Sequence, residues 1–400
     1  MKSNKIIVVD SIMGSGKTSW AIQYMNNNPN KKFIYITPYL SEIERIKNLC
    51  KTRKFYEPIN TGCGKLDNFN SLILKEKNIV STHSLFRMIT DETRNLIKSN
   101  DYILILDEVM DVLEQVVLKK NDVSSMKTLN LIDITEKGLI SWNKDKDNYA
   151  GRYDDIKLMC KNNSLFIVNN TIFMWTFPVD IFDYFSEVYI LTYLFEGQLQ
   201  KYYYDLYNVD CEYKSVTQTD LGFKLCDYIS QYNMADIRSK INILNDDKLN
   251  FIGDSEFAMS KTWYEKNSIL TKQLQKNLYN YFRNKLGSKS SDNLWTVFKK
   301  YKSALSGKGY SKGFLSLGSR ATNLYIDKVS LAYCSNIFIN TMKKQFFYSH
   351  NIEVNQDLYA LSELIQWIWR SGIRNNKKIN IYIPSKRMRN LLQNWLENDV

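Results

Sequence analysis

Val8-Val9-Asp10-Ser11-Ile12-Met13-Gly14-Ser15-Gly16-Lys17-Thr18 reads as an apolar strand end, a loop of small residues and the start of a helix. Glycines at 14 and 16 allow backbone N–H groups to close around an anion. The helix N-terminus adds its positive end, Lys17 extends a cation, and the Thr18 hydroxyl is a hard oxygen ligand. The pattern is that of a loop cradling a triphosphate, with Ser11 where the first glycine is usual. Ser11 is tolerable there if its backbone stays at negative φ. Ser11, Met13, Gly14, Ser15, Gly16, Lys17, Thr18 and Ser19 are the candidate nucleotide-binding residues.

Moving outward, the first half alternates short β-branched runs with helical stretches. Strands are expected at Lys5–Val9, Lys32–Thr37, Asn78–Ser81, Tyr102–Leu106 and Glu187–Thr192, and helices at Lys17–Met25 and Ser41–Cys50. Such alternation indicates βαβ units and a parallel sheet, so the fold class is α/β. The polar stretch Asn143–Asp155 reads as a loop. In the second half, helices are expected at Leu221–Tyr232, Ser268–Leu286, Ser330–Met342, Leu358–Arg374 and Ser385–Glu397, with strands at Lys240–Leu244 and Ile379–Ile383. Four hundred residues suit two domains of about 200 each, divided as 1–200 and 201–400.

Tyr102-Ile103-Leu104-Ile105-Leu106 runs into Asp107-Glu108-Val109-Met110. Carboxylates at the C-terminal end of a buried strand lie where open α/β sheets bind ligands. Asp107, with Thr18, is the candidate Mg²⁺ ligand, and Glu108 is placed to orient an attacking water. A carboxylate reserved for water separates an ATPase from a P-loop kinase, which needs an acceptor hydroxyl instead.

Charge is unevenly spread. Residues 1–200 carry 25 Lys/Arg against 24 Asp/Glu, whereas 251–350 carry 16 against 5, in a chain of net charge +12. A localised basic excess is the electrostatic footprint of a polyanion, or simply of a solvated basic surface. Lys299, Lys300, Lys302, Lys308 and Lys312 would neutralise phosphates. Trp295, Phe298, Tyr301 and Tyr310 either stack on bases or pack in the interior. The six scattered cysteines form no C-x-x-C pair and there are two histidines, which argues against a zinc site. No apolar run reaches membrane-spanning length, and the N-terminus has no cleavable apolar region, so a cytoplasmic location is expected.

On these motifs the chain resembles superfamily 2 helicases, particularly phage replication-module helicases and the herpesvirus replication-origin-binding helicase. Asp10 to Thr18 looks like motif I. Ile36-Thr37-Pro38-Tyr39 looks like motif Ia, and Ser81-Thr82-His83-Ser84-Leu85-Phe86 like the segment before motif II. Asp107-Glu108-Val109-Met110, followed by Gln115, is similar to motif II, and Leu191-Thr192-Tyr193 takes the place of motif III. Arg320-Ala321-Thr322-Asn323 resembles motif V, and Gln366-x-x-x-Arg370-x-x-x-Arg374 motif VI. Motif VI usually spaces its arginines by three residues, not four, which leaves open whether Arg370 or Arg374 is the finger. On a continuous helix Gln366, Arg370 and Arg374 would share one stripe.

The resemblance implies two RecA-like P-loop domains with ATP and Mg²⁺ in the interdomain cleft. Lys17, Asp107, Glu108, Gln366, Arg370 and Arg374 would be catalytic. Thr37, Pro38, Thr82, Arg320, Thr322, Asn323, Lys299, Lys300, Lys308 and Lys312 would meet nucleic acid, and Thr192 would couple the two activities. The implied function is an ATP-dependent helicase or translocase, on DNA rather than RNA, in phage-type replication or recombination. Replication or recombination proteins are the expected partners, and a bacterial host's cytoplasm the expected location. Two alternatives stand beside it: an ATPase that remodels protein–DNA complexes without unwinding, and a nucleic-acid-binding module switched by ATP.

Overall fold

The structure is a computed structural model that describes residues 6–62, 64–119, 121–318 and 324–397. The chain forms two compact units. One comprises Met1–Asp10, Thr18–Lys214 and Ile339–Asn355, and the other Ser11–Lys17, Ser215–Phe338 and Gln356–Val400.

The first unit is built on strands β1 (Ile6–Asp10), β2 (Lys32–Thr37), β3 (Phe55–Tyr56), β4 (Asn78–Thr82), β5 (Tyr102–Asp107), β6 (Glu187–Thr192) and the start of β7 (Cys211–Thr219). They lie in the order β7-β1-β6-β5-β2-β4-β3, and each of these pairs is parallel. A parallel strand covered on both faces reads as an unbroken apolar run. β5 obeys this closely: Tyr102 to Leu106 are all 2% exposed or less. Helix α1 (Lys17–Asn27) follows β1 and buries Trp20, Ala21, Ile22 and Met25.

Between β5 and β6 the chain inserts a three-stranded antiparallel sheet, Leu113–Gln115, Ile172–Thr176 and Leu165–Val168. The insert has its own core around Met126, Ile140, Trp142, Ile156 and Cys160. The stretch read as a loop, Asn143–Asp155, holds one 3-10 turn, Lys144–Lys146, and the first residues of helix Asp154–Lys161.

Helix α2 (Thr341–Ser349) also belongs to the first unit. Asn340 caps it, its side-chain oxygen accepting from the Met342 and Lys343 N–H groups at 2.9 and 3.4 Å. Phe346 and Phe347 are fully buried there, and the Phe346 ring meets Phe166 at 5.4 Å.

In the second unit β9 (Ile241–Ile243), β10 (Asn293–Thr296), β11 (Ser330–Tyr333) and β12 (Ile379–Tyr382) form a parallel sheet in the order β9-β12-β11-β10. Two expected helices are corrected here. Ser330–Met342 begins as the fully buried strand β11, because a short apolar run fits a buried strand as well as a helix. Leu221–Tyr232 contains β8 (Gly222–Asp227), which pairs with β7 across a two-residue turn. Gly222 at φ +112 and the Thr219 hydroxyl, which donates to the Gly222 carbonyl at 3.1 Å, make that turn.

Trp295 and Tyr310 are fully buried, with Tyr281 and Phe282, in this unit's core, which settles them as packing residues. Phe298 and Tyr301 lie partly buried against the same cluster.

Two glycines of the second unit stand where backbone passes at contact distance. A Cβ on Gly313 would fall 2.0 Å from the Asn293 carbonyl oxygen, and one on Gly253 would fall 1.8 Å from that of Pro384. Gly313→Ala should therefore cost about 2 kcal/mol or more through overpacking. Gly287→Ala, with open space but φ +57, should cost about 1 kcal/mol. Denaturant melts of the full chain check the order; equal midpoints for the two variants would contradict it.

Candidate nucleotide site

The loop after β1 is shaped by its glycines. Gly14 (φ +86) and Gly16 (φ +97) occupy the left-handed region and turn successive N–H groups toward one side. The Ser15 N–H donates to the Ile12 carbonyl at 3.2 Å. Ser11 is not among the positive-φ residues, so serine is tolerated, and its buried hydroxyl accepts from the Val216 N–H at 2.8 Å. The Lys17 ammonium turns back on its own loop, donating to the Ser11 carbonyl and, at 3.2 Å, to that of Ile12. Met13, Thr18 and Ser19 are half-buried. The Ser15 hydroxyl is buried without a hydrogen-bond partner.

Sheet register decides what gathers at the strand ends of the first unit. Asp10 pairs with Thr192, Leu191 with Asp107, Ile36 with Leu106, and Thr37 with Thr82. The strand that feeds the glycine loop is thus one strand removed from the strand that ends in Asp107. Burial in the sheet pushes the Asp107 carboxyl up to about 7, with Glu108 and Glu42 adding to the rise and the facing Tyr35 hydroxyl and Arg45 opposing it. Glu108 sits at φ +72, a left-handed conformation that glutamate rarely adopts, and its N–H donates to the Leu191 carbonyl at 2.9 Å. That bond ties the bend after β5 to β6.

The hydroxyls of Thr37 and Thr192 are buried at this edge without partners. The Thr82 hydroxyl is used as a helix cap, accepting from the Leu85 N–H at 3.4 Å, and Pro38 is half-buried.

One residue of this edge has a role that motif reading leaves out. Asp10 is buried, and its carboxylate accepts from the Leu194 and Phe195 N–H groups at 3.0 and 2.9 Å. It thereby fixes the turn after β6, where Leu194 is itself at φ +55. A lone carboxylate at the end of an apolar strand was the available signal.

Among the described residues no group of three or more His, Cys, Asp or Glu could hold a metal. An Mg²⁺ would rely on Asp107, Thr18, substrate oxygens and water, the sparse coordination that this ion accepts. The buried, unpartnered hydroxyls of Thr37 and Thr192 fit a strand-end edge that takes a polar ligand.

In the second unit the arginine stripe is corrected. Helix α3 (Gln356–Ile368) ends before Arg370, and Arg374 stands in a separate 3-10 turn, Gly372–Asn375. The break comes at Ser371-Gly372. The Gly372 N–H donates to the Lys328 carbonyl at 2.7 Å, and a Cβ there would meet that oxygen at 3.0 Å. The helix therefore cannot run on, and the three side chains do not share one stripe. Leu361, Ile365 and Ile368 are fully buried, and Gln366 is half-buried. Arg370 is 9% exposed with an unpartnered Nε, while Arg374 is exposed.

Lys299, Lys300, Lys302, Lys308 and Lys312 are exposed, with Lys300 paired to Glu265 at 3.1 Å. Arg320, Thr322 and Asn323 lie outside the described residues.

Comparison with known proteins gives two results. The fold is similar to that of S. tokodaii Xpd4, with a TM-score of 0.51 at 12% identity, over 98% of this chain and 94% of that one. An XPD helicase aligns over 99% of this chain and 95% of its own, with a TM-score of 0.49 at 11% identity. The likeness to Xpd4 is one of fold, and the parallel α/β layers of this chain are RecA-like.

In sequence, residues 113–175 match the YonV middle domain, and residues 235–396 match the YonV C-terminal Rossmann-like domain. The SPbeta prophage-derived protein YonV of Bacillus subtilis (strain 168) is 46% identical over 408 residues, spanning 98% of this chain and 99% of the relative. Collinear identity of that extent, with both domain matches in order, makes this chain a member of the YonV family.

Proposed function

We propose that the chain is a nucleic-acid-dependent ATPase of the helicase type, which uses ATP to move along or unwind DNA. The observation that carries this reading is the Asp107–Glu108 pair at the end of a buried strand, one strand away from the strand that leads into the glycine loop. A half-buried carboxyl crowded by a second carboxylate is costly to keep, and it is useful where a cation and a polarised water are handled.

In this reading Ser11, Met13, Gly14, Ser15, Gly16, Lys17 and Ser19 hold the triphosphate, mostly through loop N–H groups and the Lys17 ammonium. Thr18 and Asp107 would hold Mg²⁺, which neutralises phosphate charge. Glu108 accepts a hydrogen bond from the attacking water and orients it. Arg370 or Arg374, with Gln366 nearby in sequence, completes the site from the other half of the chain, as in motors that close around their nucleotide. Thr192, on the strand between those carrying the loop and Asp107, couples the site to the strand path. That path comprises Thr37, Pro38, Thr82, Arg320, Thr322, Asn323 and the lysines 299, 300, 308 and 312. A phage-type setting agrees with the prophage-derived relative, and DNA rather than RNA is the preference that the motif resemblance implies.

ATP hydrolysis measured against single-stranded DNA, duplex DNA and RNA tests the function, with strand displacement run in parallel. DNA should stimulate turnover at least severalfold, and Glu108→Gln should abolish it while ATP still binds. A turnover rate unaffected by nucleic acid would refute the reading.

The arginines give a separate test. An arginine finger contributes on the order of 10³–10⁵ in rate, so Arg370→Ala with Arg374→Ala should leave ATP affinity nearly intact and hydrolysis near background. Single variants tell which arginine acts; a double variant hydrolysing at the parental rate excludes both.

Asp107 also makes a pH-dependent prediction. Its carboxyl lies higher in the folded chain, about 7, than its ordinary value of 3.8. The folded state therefore binds this proton more tightly than the unfolded state does. The associated stability is fully present below the lower value and is lost as pH rises through about 7. Asp107→Asn should melt above the parent at pH 8 in metal-free buffer, with a smaller gap at pH 5. A gap that widens toward low pH would contradict this.

A further inference from the structure

A groove that lies wholly within the first unit belongs neither to the glycine loop nor to the carboxylate turn. It runs between the segment that follows β4 and the inserted antiparallel sheet, and its volume is about 860 Å³. Sites that enclose a compact ligand or a few side chains span roughly 300–1,000 Å³. Met88, Ile89, Val116, Leu158, Met159 and Trp175 make the lining largely apolar. Met88, from the segment after β4, and Leu158, from the insert, are each 62% exposed. Single exposed apolar side chains are ordinary, but two on the walls of one apolar groove form a surface that an apolar partner can cover.

The carboxylates of the groove outnumber its cations. Asp91, Glu92, Glu114 and Asp155 line it, against Arg87. Arg87 is already engaged: its guanidinium pairs with Glu114 at 2.7 Å and lies over the Trp175 ring at 4.7 Å. Asp91 pairs with Arg94 at 3.0 Å. Glu92 and Asp155 are exposed, and neither has an ion-pair partner among the described residues. Asp155 accepts only from the neighbouring Ile156 N–H, at 2.8 Å. Each stands in the first turn of a helix, Asp91–Ser99 and Asp154–Lys161, where a negative charge is favourable. That position explains why acid is tolerated there; the convergence of both turns on one apolar groove gives the groove its charge. Such a surface repels an anionic polymer and attracts a cation that carries apolar bulk.

We propose that this groove docks a basic segment of a partner protein. A lysine or arginine of the segment pairs with Glu92 and Asp155, and a leucine-sized or aromatic side chain covers Met88 and Leu158. Carboxylates on two walls of an apolar groove match a chain that carries both kinds of group, as a peptide does, better than a lone small cation. The groove is independent of the triphosphate reading. Its occupant touches the strand Leu113–Gln115, the next element after the Asp107–Glu108 turn.

Fluorescence anisotropy on the full chain tests this with labelled short peptides: arginine alternating with leucine, arginine with glycine, and glutamate with leucine. The arginine–leucine peptide should bind saturably, and the other two about tenfold more weakly or less. Glu92→Lys with Asp155→Lys should weaken the arginine–leucine peptide by about tenfold or more, and so should Met88→Ser with Leu158→Ser. All four positions are exposed, so both double variants should melt as the parent does. Glu136→Lys, an exposed change outside the groove, should leave binding unchanged within about twofold.

A parent that binds the arginine–glycine peptide as tightly as the arginine–leucine one would overturn the proposal, since charge alone would then act. Equal losses in Glu136→Lys and in the groove variants would overturn it too. Displacement of the peptide by free argininamide at equal affinity would make the groove a small-cation site instead. A labelled single-stranded oligonucleotide whose binding falls in Met88→Ser with Leu158→Ser would assign the groove to nucleic acid, against the proposal.

Discussion

Two carboxylates meet at the end of one buried strand, and much of the first unit serves to hold them there. Asp107 is the last residue of a strand whose other residues are sealed from water, and Glu108 follows immediately. Neither burial nor a neighbouring negative charge favours an ionised Asp107. Glu108 adds a conformational cost, since its backbone sits in a region natural to glycine. The surroundings keep the bend in place: the Leu191 carbonyl takes the Glu108 N–H, and the Met110 N–H donates to the Gln200 side-chain oxygen at 2.9 Å. Gln200 is in turn anchored on the Tyr204 hydroxyl at 2.8 Å. The run of tyrosines from 202 to 204 thus has an interior task, packing and bonding beneath the carboxylate turn.

The same edge shows why parallel order matters more here than any single motif. Asp10, Thr192, Asp107 and Thr37 are far apart in sequence, yet each ends a strand pointing the same way. Parallel pairing puts all of these ends on one side of the sheet, where side chains gather without a dedicated loop for each. Asp10 then makes use of its position, gripping the turn after β6 with both carboxylate oxygens. A change in β6 or in its following turn would be felt at the start of the glycine loop, because the clamp is the residue just before that loop.

Much of this edge was legible in the sequence, since the pattern and the chemistry agree. Lys32–Thr37 and Glu187–Thr192 stand where their apolar runs place them, and the glycine loop follows β1 as its spacing requires. The second half is less legible because its signals are degenerate. Ser330–Tyr333 is apolar enough for either element, and only its burial between β10 and β12 makes it a strand. Gly222-Phe223-Lys224-Leu225-Cys226-Asp227 alternates, yet lay inside a stretch that also fits a helix. The arginine stripe failed for a tertiary reason: the Lys328 carbonyl captures the Gly372 N–H, a partner 44 residues away that no helical wheel includes. The basic segment divides according to simple physics, with lysines outward and Trp295 and Tyr310 inward. Composition showed the charge there but not which rings would be exposed.

Packing and sequence relatedness also draw different boundaries. The C-terminal domain match runs from 235 to 396 without interruption, yet Ile339–Asn355 inside it packs with the first unit. Phe346 and Phe347 sit in that unit's main core, beside Phe166 of the middle domain, and the Asn355 N–H donates to the Tyr202 hydroxyl at 2.9 Å. On α2, Lys343 is largely buried, its ammonium pushed below the ordinary lysine value first by burial, with Asp111 and Glu114 opposing that shift. A first half expressed alone would expose two phenylalanines' worth of apolar surface and leave Asp111 and Glu114 without this cation, four and seven residues beyond Asp107. The turn that holds the carboxylate pair is therefore completed by a helix from the other end of the chain. Continuity of the polypeptide thus becomes part of the candidate site's architecture.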